Sequence, residues 1–181
     1  MRKVVFGGAS SLDNFIARED GAMDWLMWSK EVSDIIGDSM KRYDTLLMGR
    51  KTYEAAVALS PKSENGDRHN PYGHTKTYVF SRTMKPKKNT GIEIVAENAV
   101  EFVRELKQKE GGDICLMGGG DLARPLFDAG LIDEIGFNIH PTLLGSGVPL
   151  FYEMKRQIDL ELIECKQLKN GCVVLSYAVK N

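Results

Sequence analysis

The sequence has almost no net charge: across 181 residues, 24 Lys and Arg face 25 Asp and Glu, a formal balance of −1. No basic field exists to hold nucleic acid or an anionic membrane, so neither is expected as a partner. No apolar run is long enough for a membrane span, and Met1-Arg2-Lys3 leads straight into a short strand pattern rather than a signal-peptide core. A cytoplasmic protein is the expectation. Cysteine is scarce and odd in number: Cys115, Cys165 and Cys172 each fall within a predicted strand and read as reduced core or sheet thiols rather than a disulfide framework. Histidine is equally scarce. His69, His74 and His140 lack zinc-site spacing and accompanying cysteines, so no metal is expected and surface or loop positions are the default. Internal repeats, low-complexity tracts and linkers are missing too, which leaves one domain over residues 1–181 with a sizeable core. Small-molecule chemistry is the class that survives these exclusions.

The most informative stretch is Asp113-Ile-Cys-Leu-Met-Gly-Gly-Gly-Asp-Leu-Ala-Arg-Pro-Leu-Phe127, a strand, a bare-backbone turn and a helix start. Gly118, Gly119 and Gly120 leave no side chain between the backbone N–H groups and a ligand, and the positive end of the following helix favours an anion. Two readings stand: a phosphate turn, or a tight turn that lets helix and strand pack closely. A second strand-to-helix turn occurs in Tyr43-Asp-Thr-Leu-Leu-Met-Gly-Arg-Lys-Thr-Tyr-Glu54, where Gly49, Arg50, Lys51 and Thr52 open a short helix. Cations beside exposed N–H groups suit a multiply charged phosphate. A third fragment, Thr77-Tyr-Val-Phe-Ser-Arg-Thr83, ends a strand in Ser81 and Arg82. Ligands of open α/β sheets gather at such carboxyl ends, although a single arginine is otherwise a solvated surface charge.

Elsewhere, Lys3 to Gly7 reads as a first strand and Gly8 to Ala22 as a functional loop. Trp25, Trp28, Val32, Ile35, Ile36 and Met40 recur at helical spacing behind Asp24, which predicts one long amphipathic helix. Thr45 to Met48 is a strand, Lys51 to Leu59 a helix, and Ser60 to Thr75 a polar loop. Lys76 to Phe80 and Ile92 to Val95 are strands, and Asn98 caps a helix carrying Val100, Val103 and Leu106, which ends at Gly111-Gly112. Leu122, Leu126 and Phe127 give the next helix its apolar face, with Gly130 as its stop and Glu134 to Ile139 as the following strand. Leu160 to Leu168 and Cys172 to Val179 flank Asn170-Gly171, a strong hairpin signal. The order implies a mostly parallel sheet with an antiparallel edge.

With those pieces placed, the chain resembles the dihydrofolate reductase-like superfamily, in the branch of the C-terminal reductase domain of bifunctional deaminase-reductases of riboflavin biosynthesis. Ser11-Leu-Asp-Asn-Phe-Ile-Ala17 resembles that family's early Ser-x-Asp-Gly-x-x-Ala loop, with Asn14 in place of the usual glycine. Leu47-Met-Gly-Arg-Lys-Thr52 is similar to its phosphate turn, Met117-Gly-Gly-Gly-Asp-Leu122 to its glycine turn, and Leu131 to Phe151 to the segment that follows. The resemblance implies a three-layer α/β/α fold with a mixed, mostly parallel sheet and a C-terminal antiparallel hairpin. It implies NADPH across the strand ends, with Gly49, Arg50, Lys51 and Thr52 on its phosphates and Ser81 and Arg82 near the 2′-phosphate. Gly118, Gly119, Gly120, Asp121 and Leu122 would approach the pyrophosphate and nicotinamide, with one bond of the glycine turn cis. It also implies a homodimer acting on a small heterocyclic substrate.

The activity implied is an NADPH-dependent reductase delivering hydride to a C=N-type carbon of a pyrimidine ribosylamine or related heterocycle, closest to 5-amino-6-(5-phosphoribosylamino)uracil reductase. Dihydrofolate reductase is the alternative enzyme, and a non-catalytic NADPH-binding or interaction protein the alternative of another class. No zinc-deaminase pattern of His-x-Glu with Cys-x-x-Cys is present. Gly118 to Ala123 also satisfies Gly-x-Gly-x-x-Ala, yet the acidic residue a Rossmann unit needs some twenty positions later is missing. The proton source has two candidates. Asp13 either donates a proton, orients water or binds a sugar hydroxyl, or else it caps its own loop. Glu31 stands beside the position that a dihydrofolate reductase gives its acid, after Ala22-Met-Asp-Trp25, and is otherwise a solvated helical carboxylate. One tryptophan of Trp25 and Trp28 is expected in the core, the other left free to stack on a ligand.

Overall fold

The structure is a computed structural model that describes residues 1–60, 72, 75–85 and 91–180. Its elements in chain order are β1 (Val4–Ser11), β2 (Phe15–Ala17), α1 (Lys30–Met40), β3 (Tyr43–Gly49), α2 (Arg50–Leu59), β4 (Lys76–Phe80), β5 (Ile92–Val95) and α3 (Ala99–Gln108). There follow β6 (Asp113–Leu116), α4 (Gly120–Asp128), β7 (Glu134–His140), β8 (Val148–Pro149), β9 (Leu160–Gln167) and β10 (Val173–Val179). The main sheet has eight strands in the order β5-β4-β3-β6-β1-β7-β10-β9, and β2 pairs β8 in a small second sheet. From β5 to β7 every neighbour is parallel, whereas β10 runs antiparallel to both β7 and β9.

Strands covered on both faces need unbroken apolar runs, and Leu46, Leu47 and Met48 in β3 are all fully buried. On one face Val103 and Leu106 of α3 and Leu126 and Phe127 of α4 pack with Phe6, Ile135 and Phe137. Phe6 is the hub there, its ring edge-on to Phe127, Phe137 and Phe151 at 5.7, 5.0 and 6.0 Å. On the opposite face Tyr53 of α2 meets Leu46, Met48, Val79 and Cys115, and Val32 and Ile35 of α1 meet Leu168, Cys172 and Val174. This is the expected three-layer α/β/α arrangement, with the hairpin at one edge.

At the amino ends of the strands, charge ties the sheet together. Arg42 bridges Asp113 and Glu134 at 2.7 and 2.9 Å, Lys3 reaches Glu134 at 2.7 Å, Arg2 pairs with Asp44, and Lys107 pairs with Asp133. The carboxyl ends are the ones left open for chemistry.

Three expectations change. The stretch from Gly8 to Ala22 is not one loop, because β1 pairs with β7 as far as Ser11 and β2 forms at Phe15. The first helix starts at Lys30 rather than at Asp24: the Ser29 hydroxyl caps it by accepting from Val32 N, while Asp24 is drawn off into an ion pair with Arg18. Trp25 and Trp28 therefore precede the helix, the former buried and the latter 65% exposed. His140 is neither a surface nor a loop residue but the buried last residue of β7, held by contacts described below. The cysteines are free core or sheet thiols, as expected: Cys115 and Cys172 are buried, burial pushes the Cys115 thiol up to about 12, and Cys165 lies exposed on the edge strand. The loop expected over Ser60 to Thr75 falls mostly outside the described residues, as do His69 and His74.

Candidate active site

The site is assembled at the carboxyl ends of β3, β6, β1 and β7. Helices α2 and α4 start from the adjacent strands β3 and β6, and neither has a side-chain cap at its Gly49 or Gly119 N-cap. The other two helices are capped, α1 by Ser29 and α3 by Asn98. Open N–H groups and positive dipole ends thus lie side by side. The two turns are in contact: Gly49 N donates to Gly118 O at 3.1 Å, and a Cβ on Gly119 would sit 3.8 Å from Thr52 Oγ1. The Gly118–Gly119 peptide is cis and Gly118 has φ +102°, so the bond expected to be cis lies inside the glycine turn. At Gly120 a Cβ would meet Leu150 O and the Tyr152 ring, each at 2.6 Å. Glycine is required there by packing.

Around these turns the cations differ in how they are engaged. Arg50 reaches Glu54 one helical turn on, at 3.0 Å. Lys51 and Arg82 are exposed and have no ion-pair partner among the described residues. Ser81 Oγ accepts from Thr83 N and Met84 N at 3.2 and 2.9 Å, which shapes the turn that presents Arg82. Asp121 is exposed in the first turn of α4, and Leu122 N closes that turn on Gly119 O at 3.0 Å.

The floor beside the turns is bare backbone. Val5 and Cys115 are in register, so alternation places Gly7 and Ala9 on the α1/α2 face, where their partners across β7 are Gly136 and Asn138. Gly7, Ala9 and Gly136 are only half-buried although they lie on interior strands, so this face of the sheet is left partly open above them. A Cβ at Gly7 would meet Gly136 O at 2.9 Å. Gly7-Gly8-Ala9 was the overlooked signal for this floor, because small residues in a central strand leave room above it.

Asp13 sits in the turn after β1. Its carboxylate accepts from the Ser11 hydroxyl at 2.6 Å, from Leu144 N at 3.1 Å and from Gly145 N at 2.8 Å, clamping the 142–147 segment to the β1–β2 turn. The Ser11 bond, reinforced by the two backbone donors, holds its pKa below the ordinary 3.8. Asn14 keeps the glycine-like backbone at φ +65°, a conformation asparagine tolerates better than most residues. Its carbonyl accepts from Leu150 N at 2.8 Å, and Leu150 O in turn faces Gly120, so the Asp13 turn and the glycine turn share one intervening strand of chain. Glu31 stands apart from this group, accepting from Lys169 N at 3.0 Å in the β9–β10 turn.

His140 joins the site unannounced. It is 2% exposed, its Nδ1 accepts from Met27 N at 3.1 Å, and its ring stands edge-on to Trp25 at 5.3 Å. Burial lowers its pKa from 6.5. The signal was the alternation Asn138-Ile139-His140, which puts two polar side chains on one face of a strand. Among the described residues no group of His, Cys, Asp or Glu could hold a metal ion, and no helix is long and apolar enough to cross a membrane.

This geometry has known relatives. YyaP of Bacillus subtilis (strain 168) is 34% identical over 180 residues, 97% of this chain and 94% of its own. A Shewanella sp. PV-4 structure named for riboflavin biosynthesis superposes with TM-score 0.82 at 27% identity, each chain covered in full. The deaminase/5-amino-6-(5-phosphoribosylamino)uracil reductase of Thermotoga maritima gives TM-score 0.70 at 15% identity, with 99% of this chain matched to 57% of that one. Dihydrofolate reductase of Enterococcus faecalis, solved with NADP(H), gives 0.66 at 16% identity, covering 99% and 97%. The fold is therefore of the dihydrofolate reductase-like class. More narrowly, the chain belongs to the RibD C-terminal domain family, whose model matches residues 2–174.

Proposed function

We infer that the protein is an NADPH-dependent reductase that delivers hydride to a C=N-type carbon of a pyrimidine ribosylamine or related heterocycle, in the manner of a 5-amino-6-(5-phosphoribosylamino)uracil reductase. The observation that carries this reading is the pair of adjacent, uncapped helix starts at Gly49 and Gly119, flanked by Lys51 and Arg82. Backbone donors of both turns take the pyrophosphate. Lys51 and Arg82 take the 2′-phosphate side, which favours NADPH over NADH. The cofactor supplies the hydride, and the chain supplies alignment and the exclusion of competing contacts. Gly7, Ala9 and Gly136 make the floor on which flat rings lie, since no side chain intervenes. Asp13, held ionised by three donors, fixes the turn beside that floor and can orient a water or sugar hydroxyl toward the reacting nitrogen. Glu31 is engaged by the hairpin and is the lesser candidate for a proton route.

The exposed edge strand β9, with Leu160, Leu162 and Ile163 at 38, 56 and 55% exposure, supports a homodimer formed by a second copy at that edge. A cofactor-binding protein without turnover is the second reading, favoured by the low pKa of Asp13, which makes it a poor acid. NADPH consumption in the presence of 5-amino-6-(5-phosphoribosylamino)uracil separates the two. The first requires steady substrate-dependent oxidation that dihydrofolate does not match. Tight cofactor binding with no oxidation would establish the second.

A further inference from the structure

The two sides of the open end are finished in opposite ways. On the side of β3, β6 and β4, helices α2 and α4 start without side-chain caps, and Lys51 and Arg82 have no ion-pair partner among the described residues. On the other side β1 and β7 end, and an acceptor ring lying on Gly7, Ala9 and Gly136 has its remaining neighbours there. The chain answers its own anion-accepting groups on that side. Leu144 N and Gly145 N are successive backbone donors in a Gly-Ser-Gly loop, with Gly145 at φ +75°, an arrangement that makes a nest for an anion. The Asp13 carboxylate fills it, at 3.1 and 2.8 Å. Leu12 N is taken by Thr142 O and Phe15 N by Ser11 Oγ, both at 2.9 Å. Helix α1 opens with the Ser29 hydroxyl on Val32 N and with Glu31 in its first turn, so its positive end is satisfied as well.

Charge follows the same division. Residues 8–41 carry seven carboxylates against three cations, so their field is negative. Each of the three cations is engaged: Arg18 holds Asp24 through two nitrogens at 2.6 and 3.2 Å, Lys30 holds Asp34 at 2.7 Å, and Lys41 holds Asp38 at 2.6 Å. Residues 141–154 contain neither Lys nor Arg. In the β9–β10 turn, Lys169 has the Glu31 carboxylate on its own backbone N–H at 3.0 Å. Beside the Asp13 turn the exposed side chains are apolar, Leu12 at 62% and Leu143 at 70%. A phosphate dianion brought to this side would meet like charge, with the backbone donors named above already taken. We propose that the acceptor is a ribosylamine without a 5′-phosphate, and that the carboxylate excess of residues 8–41, with Asp13 seated in the 144–145 nest, selects against the phosphorylated form. This rests on the reductase reading above and narrows its substrate. The reaction is unchanged: the C=N carbon of the opened ribosylamine takes hydride from NADPH, its nitrogen takes a proton, and the products are a C–N single bond and NADP⁺. What is selected is the charge at the far end of the sugar.

The test is steady-state NADPH oxidation by the full chain with 5-amino-6-(ribosylamino)uracil and with its 5′-phosphate, at low and at high salt, on wild type and Asp24→Asn. Both compounds should support oxidation, the unphosphorylated one with kcat/KM at least about tenfold higher at low salt. Salt should narrow the gap by screening the like charges. Asp24→Asn removes one exposed carboxylate and frees Arg18, so it should narrow the gap by about threefold or more by speeding the phosphorylated compound. NADPH affinity and turnover of the unphosphorylated compound should stay as they were. Equal kcat/KM for the two, or preference for the phosphate, would overturn the proposal while leaving the reductase reading in place. A gap that neither salt nor Asp24→Asn narrows would overturn it as well, since charge would not be its cause. Oxidation with neither compound would bring down the reductase reading and this assignment with it.

Discussion

Asp13 shows how a residue read as chemistry can be held as architecture. Its two oxygens accept from one hydroxyl and two backbone N–H groups, so in Asp13→Asn the amide would keep one acceptor and confront a backbone donor with a second donor. The variant is expected to unfold at lower temperature and to turn over more slowly at neutral pH. Because the folded pKa lies below 3.8, that stabilisation is complete above this pH and fades as acid titrates the carboxylate, so melting curves of wild type and variant should converge in strong acid. His140 titrates in a different window. Its folded pKa is depressed below 6.5, so the neutral, buried form stabilises the fold above that pH, and stability drains away as pH falls through the folded value. Melting temperature should be level above about pH 6.5 and drop below it, and His140→Gln should flatten the acid limb. Continued decline of the variant in parallel with wild type would remove His140 as the cause. At this scale the sequence was a partial guide. Asp13 could be picked out by its motif, but not the three donors that hold it, which come from residues 11, 144 and 145. For His140 the alternation Asn138-Ile139-His140 could give a strand face but not its partners Met27 and Cys172, which are distant in the chain.

Elements were more legible, because their signals are local. The strands at Lys76–Phe80 and Ile92–Val95, the Asn98 cap and the Asn170-Gly171 hairpin all appear where periodicity and turn chemistry put them. The first helix failed for an equally physical reason. Trp25 and Trp28 keep its spacing, but Ser29 offers a better N-cap and His140 captures the Met27 N–H that a longer helix would have used. Glycines divide in the same way between propensity and packing. Gly37 lies within α1 with nothing within 4 Å of a new Cβ, so Gly37→Ala should stabilise the protein by about 0.5–1 kcal/mol. Gly120→Ala would drive a methyl to 2.6 Å from Leu150 O and from the Tyr152 ring, and should cost about 1–3 kcal/mol. Denaturant melts of the two variants should move in opposite directions, and a neutral Gly120→Ala would show that the contact at the glycine turn yields easily.

At the scale of the whole molecule, charge is sorted to one end of the sheet and bare backbone to the other. The ion pairs of Arg2, Lys3, Arg42 and Lys107 tie the amino ends of the strands, and the carboxyl ends present open helix starts, exposed cations and the half-buried small residues Gly7, Ala9 and Gly136. Strand β9 leaves a long edge with apolar side chains in solvent. Light scattering should give a dimeric mass, and Leu162→Lys should shift it toward monomer; a monomeric wild type at working concentration would remove the second copy from the account. The central claim is that the open end holds NADPH. It is tested most directly by calorimetric titration of the protein with NADPH and NADH, repeated on Arg82→Ala, because Arg82 is exposed and lacks an ion-pair partner among the described residues. The account requires NADPH to bind at least about tenfold tighter than NADH, with the gap narrowed by the substitution and NADH affinity left as it was. Binding of neither cofactor, or equal binding of both that Arg82→Ala does not touch, would contradict it.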